Sequence, residues 1–322
     1  MIDYSVIIRT TGKAGEKYQA LLNSIVNLDP SPKEIIVVLP IGYNLPSERI
    51  GSEIFYFCEK GMVTQRLYGI NKCNTKYALI CDDDVTFSSD FVQKLYKPVL
   101  DGVSELSAAP LSSFLPKKGI ESFFYTITSA AIPIRKTNSH YIKILSSTGY
   151  SYNRNFNKNN SEYLIAESLP WTCFFGDVES IKKIKLEDEH WLQHNGFYAS
   201  LDDQTMFYKA HLLGIRSVVV TDAVYEHLDG KTSRRVLSDI SYAMEFNRYV
   251  FWHRFIYSKD HGLKKYFDKI AIEYYFFTKF FYNIFRLFIK TLDTKAFKSK
   301  MQALKDAKKY VKSMEYINLP KF

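Results

Sequence analysis

The sequence predicts an α/β fold in which a mostly parallel, doubly wound sheet is flanked by helices. Three observations support this prediction: strand-like and helix-like segments alternate over the first hundred residues, the strand-like segments are continuous apolar runs, and one of them ends in consecutive carboxylates. Continuous apolar runs are typical of strands buried on both faces, and their alternation with helices indicates parallel pairing. A chain of 322 residues allows two domains, or one large domain with an appendage.

Hydrophobic spacing locates the elements of the first hundred residues. The predicted strands are Tyr4–Ile8, Glu34–Leu39, Ser52–Phe57 and Tyr77–Cys81, and the predicted helices are Glu16–Leu28, Met62–Asn71 and Phe91–Leu100. Asp29 and Pro30 end the first helix, because proline cannot continue it. In such a sheet, ligands bind beyond the carboxyl ends of the strands.

A second ordered region follows a long segment without a regular pattern, from Val103 to Glu167. Such a segment inside a domain indicates a lid or a recognition loop. The elements predicted after it are a strand, a turn and a short helix within Leu169–Ile184, a helix from about Asp203 to Leu213, and the strand Ile215–Val220. The turn is assigned to Gly176, and the second helix is expected to be capped by Asp202 and ended by Gly214.

The strand Tyr77–Cys81 ends in three consecutive carboxylates, Asp82, Asp83 and Asp84. On an extended backbone, Asp82 and Asp84 would lie on one side and Asp83 on the other. Two like charges so close together need a counter-charge, and a divalent cation shared with a polyphosphate would supply one. The alternative is that the acids cap the next helix, although Ser88, Ser89 and Asp90 are available for that role.

Composition narrows the class of protein. The net charge is +9, and residues 259–322 carry all of it, with 15 Lys and Arg against 6 Asp and Glu. Because residues 1–258 have no net charge, they are not expected to bind nucleic acid. The first strand begins so early that no signal peptide is expected. Four cysteines without pairwise metal-ligand spacing are predicted to be reduced residues of a cytoplasmic protein: Cys58, Cys73, Cys81 and Cys173.

The C-terminal part predicts an amphipathic helix. On a helical projection, one side carries Tyr274, Phe277, Phe281, Phe285, Phe288 and Leu292, and the other carries Lys279, Asn283, Arg286 and Lys290. The charged residues leave no apolar run long enough to span a bilayer. Two interpretations stay open: peripheral contact of residues 270–312 with an anionic membrane, or packing of the helix on the preceding domain or on a second copy in a homodimer.

Several segments together resemble the family 2 glycosyltransferases of the GT-A fold, over roughly residues 4–230. They are Ser5–Thr11, Glu34–Val38, Lys60–Val85 and Leu201–Gly214. The acidic triplet looks like the family's DXD motif, which implies that Asp82 contacts the nucleotide ribose or the metal and that Asp84 coordinates Mn2+ or Mg2+. The pair Asp202 and Asp203 looks like the ED motif, which makes Asp203 the general base. His227 is similar to a histidine that some members use as a further metal or diphosphate ligand.

Other residues near these motifs are expected to contact the nucleotide. They are Arg9, Thr10, Gln65 and Arg66, together with Asp82 and the middle acid Asp83. The alternative for the first four is an ordinary position on turns and on a helix surface. The sequence departs from the family pattern where Arg9 replaces a common proline and where Leu39 and Pro40 replace a common acidic pair. Because the missing acid often binds the nucleobase, the nucleobase stays open.

The resemblance implies a metal-dependent, inverting glycosyltransferase, of the hexosyltransferase type, that moves a sugar from a nucleoside diphosphate sugar to a hydroxyl of a glycan or lipid-linked acceptor. Surface glycan biosynthesis, in the cytoplasm or at the inner face of the membrane, is the expected setting. A metal-dependent nucleotidyltransferase and an inactive, glycosyltransferase-like binding module remain alternatives. The catalytic domain is predicted at 1–235, with a nucleotide-sugar half at about 1–110 and an acceptor half at about 111–235, followed by the helical, basic extension 236–322.

Overall fold

A ten-stranded sheet forms the centre of the computed structural model, which describes residues 2–111, 123, 127–128, 139–152, 162–194, 198–229 and 236–321. The strands are β1 (Tyr4–Arg9), β2 (Glu34–Pro40), β3 (Glu53–Cys58), β4 (Tyr77–Asp82), β5 (Val85–Phe87), β6 (Leu106–Ala108), β7 (His140–Ile144), β8 (Ser151–Tyr152), β9 (Tyr163–Ala166), β10 (Cys173–Asp177), β11 (Ser217–Val220) and β12 (Tyr225–His227). The strand order in the large sheet is β3-β2-β1-β4-β10-β6-β11-β9-β7-β8, and β5 pairs with β12 in a small second sheet.

Helices flank the sheet and form the C-terminal part of the chain. They are α1 (Glu16–Val26), α2 (Met62–Lys72), α3 (Phe91–Leu100), α4 (Val178–Lys183), α5 (Asp202–Leu212), α6 (Leu237–Trp252), α7 (Gly262–Phe288), α8 (Thr294–Tyr310) and α9 (Met314–Ile317). The predicted α/β class, with a large and mostly parallel sheet, is confirmed. The elements predicted for the first hundred residues are confirmed to within two residues at each end.

The apolar runs form the sheet because both of its faces are covered. Strands β3, β2, β1 and β4 are all parallel, and β10 then pairs antiparallel with β4. Successive residues of one strand, such as Ile7 and Ile8 of β1, belong to two different buried clusters on opposite faces. Arg9 pairs in register with Asp82, so β1 and β4 end at the same edge of the sheet.

Several local predictions were wrong. Gly176 lies inside β10, where a Cβ atom would come within 2.5 Å of Leu106 Cδ2, so the glycine permits close approach of a side chain from β6. Asp202 does not cap α5: Leu201 occupies that position with a φ of 65°, and Asp202 is the first helical residue. Asp90 precedes α3, but its carboxylate pairs with Lys94 and caps no backbone amide.

The segment from Val103 to Glu167 also has more regular structure than expected. It contains β6 to β9 among its described residues, and positions 153–161 lie outside them. The alternation predicted for the acidic triplet is interrupted as well, because Asp83 and Asp84 form a turn between β4 and β5.

All four cysteines are buried and free, as predicted.

The C-terminal helices pack on the rest of the protein through polar as well as apolar contacts. Asn247 of α6 donates to the carbonyl groups of Leu192 and Ser200, and Trp252 Nε1 donates to the Ser147 carbonyl. On α7, Asn283 is buried, whereas the aromatic side predicted by the projection faces solvent. No helix among the described residues combines the length and apolarity needed to cross a membrane. The predicted domain boundary at 235 lies outside the described residues.

Candidate active site

The carboxyl ends of β1 and β4 bring an arginine and an aspartate into direct contact. Arg9 Nε donates to Asp82 Oδ1 at 2.9 Å, and Arg9 Nη2 donates to Asp82 Oδ2 at 2.7 Å, which is a bidentate pair. Burial alone would raise the pKa of Asp82, but the guanidinium groups of Arg66 and Arg9 outweigh burial and hold its pKa below the ordinary value. Asp82 is therefore an ionised carboxylate between two cations.

Arg66, on α2, bridges two acids that lie far apart in the sequence. Its Nη2 donates to Asp82 Oδ1 at 2.7 Å, and its Nη1 donates to Asp202 Oδ2 at 3.0 Å. The guanidinium also lies over the ring of Trp171, 4.7 Å from its centroid. The side chain of Arg66 is only 3% exposed. The acidic end of β4 and the acidic start of α5 are thus adjacent, as expected for one shared site, but the Arg66 bridge between them was not predicted from the sequence.

Thr10 and Gln65 hold the end of β1. Thr10 Oγ1 donates to Asp83 Oδ2 at 2.5 Å, and Gln65 Nε2 donates to the carbonyl groups of Thr10 and Val38 at 3.0 and 2.9 Å. Burial raises the pKa of Asp83 to about 6 despite the hydrogen bond from Thr10. Thr10 and Gln65, which were predicted to contact the nucleotide, therefore hold other parts of the protein in place: they fix the backbone beside the acidic triplet.

Asp84 and His227 meet because β5 and β12 pair, with Val85 opposite His227. His227 Nε2 lies 3.3 Å from Asp84 Oδ1, and the Leu228 amide donates to the Asp84 carbonyl at 2.8 Å. The hydrogen bond with Asp84 is the main cause of the raised pKa of His227. One carboxylate and one imidazole that face each other can serve as two ligands of a divalent cation.

The predicted metal ligands do not all come together. Within the described part of the chain, no three His, Cys, Asp or Glu side chains form a group that could hold a metal ion. The carboxylate of Asp82 faces Arg9 and Arg66, while Asp84 faces His227. An ion held by Asp84 and His227 would need further oxygen ligands, which a diphosphate can supply. The metal roles of Asp82, Asp84 and His227 stay predictions.

The predicted base, Asp203, lies in the first turn of α5 next to Asp202. Its Oδ1 accepts a hydrogen bond from the Gln204 amide at 2.6 Å. Burial, and then the charge of Asp202, raise the pKa of Asp203 to about 6. The carboxylate is therefore ionised at neutral pH and takes up a proton more readily than an exposed aspartate would, which suits a general base.

The C-terminal extension contributes a cation to the same region. Arg248 of α6 donates through Nη1 to the Gly149 carbonyl at 2.9 Å and to Gln204 Oε1 at 3.3 Å. Its positive charge offsets part of the rise in the pKa of Asp203. Sequence analysis placed Arg248 outside the catalytic pattern and did not single out Trp171. Neither residue belongs to a short motif, so only the folded chain could identify them.

The sheet and the acidic residues at its edge define an α/β protein with a fold of the GT-A type. Solved glycosyltransferases share this fold at low sequence identity. S. aureus TarS 1–349 gives a TM-score of 0.52 at 13% identity over 95% of this chain and 80% of that chain, and its complex with UDP-GlcNAc gives 0.52 at 14% identity. GalNAc-T7 with UDP, GalNAc and Mn2+ gives 0.53 at 12% identity over 85% of this chain and 56% of that chain. No protein-family model and no curated protein sequence matches the chain.

Proposed function

We propose that this chain is a glycosyltransferase that uses a nucleoside diphosphate sugar. The observation that carries the proposal is the Arg66 bridge, because it holds the acidic end of β4 beside the start of α5, where Asp203 lies. The fold supports the same class, since similar structures were solved with UDP-GlcNAc, or with UDP, GalNAc and Mn2+. Uridine diphosphate hexoses are therefore the first donors to test, and a glycan or lipid-linked hydroxyl, in surface glycan biosynthesis, is the proposed acceptor.

The donor side of the site is assigned to the sheet edge. Asp84 and His227 would hold a divalent cation, Mn2+ or Mg2+, and the imidazole would bind the ion only after losing its proton. Asp82 is a further candidate ligand, and the bound ion would stabilise negative charge on the leaving diphosphate. Arg9 and Arg66 are the cations of the same edge, and a guanidinium group suits the planar recognition of phosphate oxygens.

The acceptor side is assigned to the start of α5. Oδ1 of Asp203 already accepts a hydrogen bond from the Gln204 amide. We therefore assign to Oδ2 the removal of the proton from the acceptor hydroxyl. Proton removal by a positioned carboxylate contributes a factor of about 10² to 10⁴ in rate. A base opposite the leaving diphosphate implies a single displacement at the anomeric carbon, and hence inversion.

The substitution Asp203→Asn tests the assignment of the base. We expect turnover to fall by about 10²-fold or more, with unchanged Mn2+-dependent donor binding, because the amide keeps the shape of the side chain but cannot accept the proton. Turnover is measured as release of nucleoside diphosphate from a panel of nucleotide sugars, and donor binding by thermal shift.

The matched control is Asp101→Asn, at an exposed aspartate that follows α3, which should behave as wild type. Full turnover in Asp203→Asn would place the base elsewhere. If no nucleotide sugar stabilises or reacts with the wild-type protein, with or without Mn2+, the glycosyltransferase proposal fails.

A further inference from the structure

Helix α7 presents an apolar face to solvent along its whole length. It has 27 residues, which corresponds to about 40 Å. Ten exposed apolar residues fall within an arc of about 100° at 3.6 residues per turn. This outer face of α7 consists of Leu263, Tyr266, Phe267, Ile270, Tyr274, Phe277, Phe281, Ile284, Phe285 and Phe288. Such an extended apolar surface is unusual on a monomeric soluble protein and indicates an interaction site.

The outward direction of this face is fixed by what lies on the opposite side of α7. There, Lys279 Nζ lies 2.9 Å from Glu245 Oε1 of α6, and Lys300 Nζ of α8 lies 3.2 Å from the same oxygen. Burial would raise the pKa of Glu245, but the two lysines outweigh burial and hold it below the ordinary value. Turning the aromatic face inward would remove Lys279 from its counter-charge, so the face cannot simply rotate into the core.

The stretch of chain that contains the outer face is strongly basic. Within residues 262–312 the exposed acids are Glu273 and Asp293, and Glu273 pairs with Lys308 at 2.8 Å. Eight lysines of the same stretch are exposed: Lys264, Lys269, Lys290, Lys295, Lys298, Lys305, Lys309 and Lys312. Aromatic and aliphatic side chains beside many lysines match the headgroup region of an anionic bilayer, which offers both an apolar boundary and negative charge.

We propose that the outer face of α7 docks on the surface of an anionic lipid bilayer. The helix would lie in the plane of the interface, with the exposed lysines of α7 and α8 near lipid phosphates. A second copy of the chain is the less favourable occupant, because a symmetric contact would bring two lysine-rich surfaces together. Binding of this face to a bilayer does not depend on the proposed transferase activity.

A groove next to the outer face adds to the argument for lipid. It has a volume of about 770 Å³ and lies between α7 and α8. Most of its accessible surface is apolar: Tyr274 and Phe277 of α7 and Met301 and Leu304 of α8 line it, and the ion cluster of Glu245, Lys279 and Lys300 also contributes to its lining. Because its walls are mostly apolar and continuous with the outer face, a lipid chain would find a partly enclosed site there, which a flat protein partner would leave empty.

Vesicle flotation tests this proposal on the full chain. Vesicles of pure phosphatidylcholine are compared with vesicles that also contain phosphatidylglycerol, at low and at high salt. We expect about tenfold or more tighter binding to the anionic vesicles at low salt, and a weaker preference at high salt. The paired substitution Phe281→Ser and Phe285→Ser should lower binding about tenfold or more, because each phenylalanine would otherwise enter the interface.

Controls separate this effect from general changes of the surface or of the active site. The pair Val26→Ser and Leu100→Ser alters two exposed apolar residues far from α7 in the sequence and should bind vesicles as wild type. Asp203→Asn should also bind as wild type, whatever its turnover. Circular dichroism checks that each variant keeps its helices. The triple variant Lys295→Gln, Lys298→Gln and Lys305→Gln should reduce the preference for anionic vesicles.

Three results would overturn the proposal. They are no binding of the wild-type chain to anionic vesicles, equal binding to both kinds of vesicle, and unchanged binding of the Phe281 and Phe285 variant. A concentration-dependent dimer that this variant abolishes, without vesicle binding, would assign the outer face of α7 to a second copy instead.

Discussion

At the scale of single residues, Arg66 connects three separate parts of the site. Its guanidinium group contacts Asp82, Asp202 and the ring of Trp171, and its side chain is almost fully buried. A guanidinium group suits this position because its donors point in fixed directions and its face can stack on an aromatic ring. Without it, two buried carboxylates would lose their shared counter-charge.

The substitution Arg66→Met tests this role through stability. Methionine occupies a similar volume but leaves Asp82 and Asp202 without this partner, so we expect the free energy of unfolding to fall by about 3–5 kcal/mol. Chemical denaturation measures the change. As a control, Arg216→Met removes an exposed ion pair with Glu105 and should cost about 0–1 kcal/mol. A comparable cost for both variants would show that the bridge has no special contribution to stability.

At the scale of elements, the position of α2 depends on Gly69. A Cβ atom at this residue would lie 2.5 Å from Ile7 Cγ2 of β1 and 3.2 Å from Val38 Cγ2 of β2. The absence of a side chain therefore lets the helix approach the sheet closely. Arg66 lies about one turn earlier on the same helix, so this close packing also sets how far its guanidinium reaches toward Asp82.

The substitution Gly69→Ala should destabilise the protein although alanine favours helices. Overpacking against two buried side chains is expected to cost about 1–3 kcal/mol, which exceeds the gain in helix propensity of about 1 kcal/mol. Thermal or chemical unfolding measures the balance. Asn71→Ala, at an exposed position of the same helix, isolates the propensity and should be neutral or slightly stabilising. A stabilised Gly69→Ala variant would mean that α2 moves away from the sheet without cost.

At the scale of the whole molecule, a buried ionic cluster joins α5 and the chain before it to the C-terminal helices. Glu189 accepts hydrogen bonds from Lys209 Nζ of α5 at 2.8 Å, from Trp191 Nε1 at 2.8 Å and from Arg254 Nη2 at 2.9 Å. Arg254 lies in the π-helical turn His253–Tyr257 that follows α6. The helix that presents Asp203 is therefore tied to the extension through one carboxylate.

The substitution Glu189→Gln should weaken this connection. Burial would raise the pKa of Glu189, but Arg254 and Lys209 outweigh it, so its pKa is lowered in the folded protein. A lowered pKa contributes stability that is present above the ordinary glutamate value and is lost as pH falls through the lowered value. We expect the variant to lose about 3–5 kcal/mol near neutral pH, and this difference to shrink in acid.

Unfolding at neutral and acidic pH measures both expectations. Glu179→Gln, at an exposed ion pair within α4, is the matched control and should change stability by at most about 0.5 kcal/mol. A loss for Glu189→Gln that stays constant with pH would contradict the ionic explanation.

The sequence by itself determined the elements of the first hundred residues and the positions of the acidic motifs. This was possible because apolar periodicity and a run of carboxylates are properties of neighbouring residues. The same spacing placed Asp82 at the end of β4 and Asp203 in the first turn of α5. It also identified both sides of α7, although not which side faces the protein.

Only the tertiary structure decided which distant residues meet. Arg66 lies 136 residues before Asp202, and no short pattern connects them. The direction of α7 depends likewise on Glu245, because that carboxylate makes the inner side favourable for Lys279 and leaves the aromatic side in solvent. Local spacing defines the sides of an element, but the charges and volumes of residues far away in the chain determine what each side contacts.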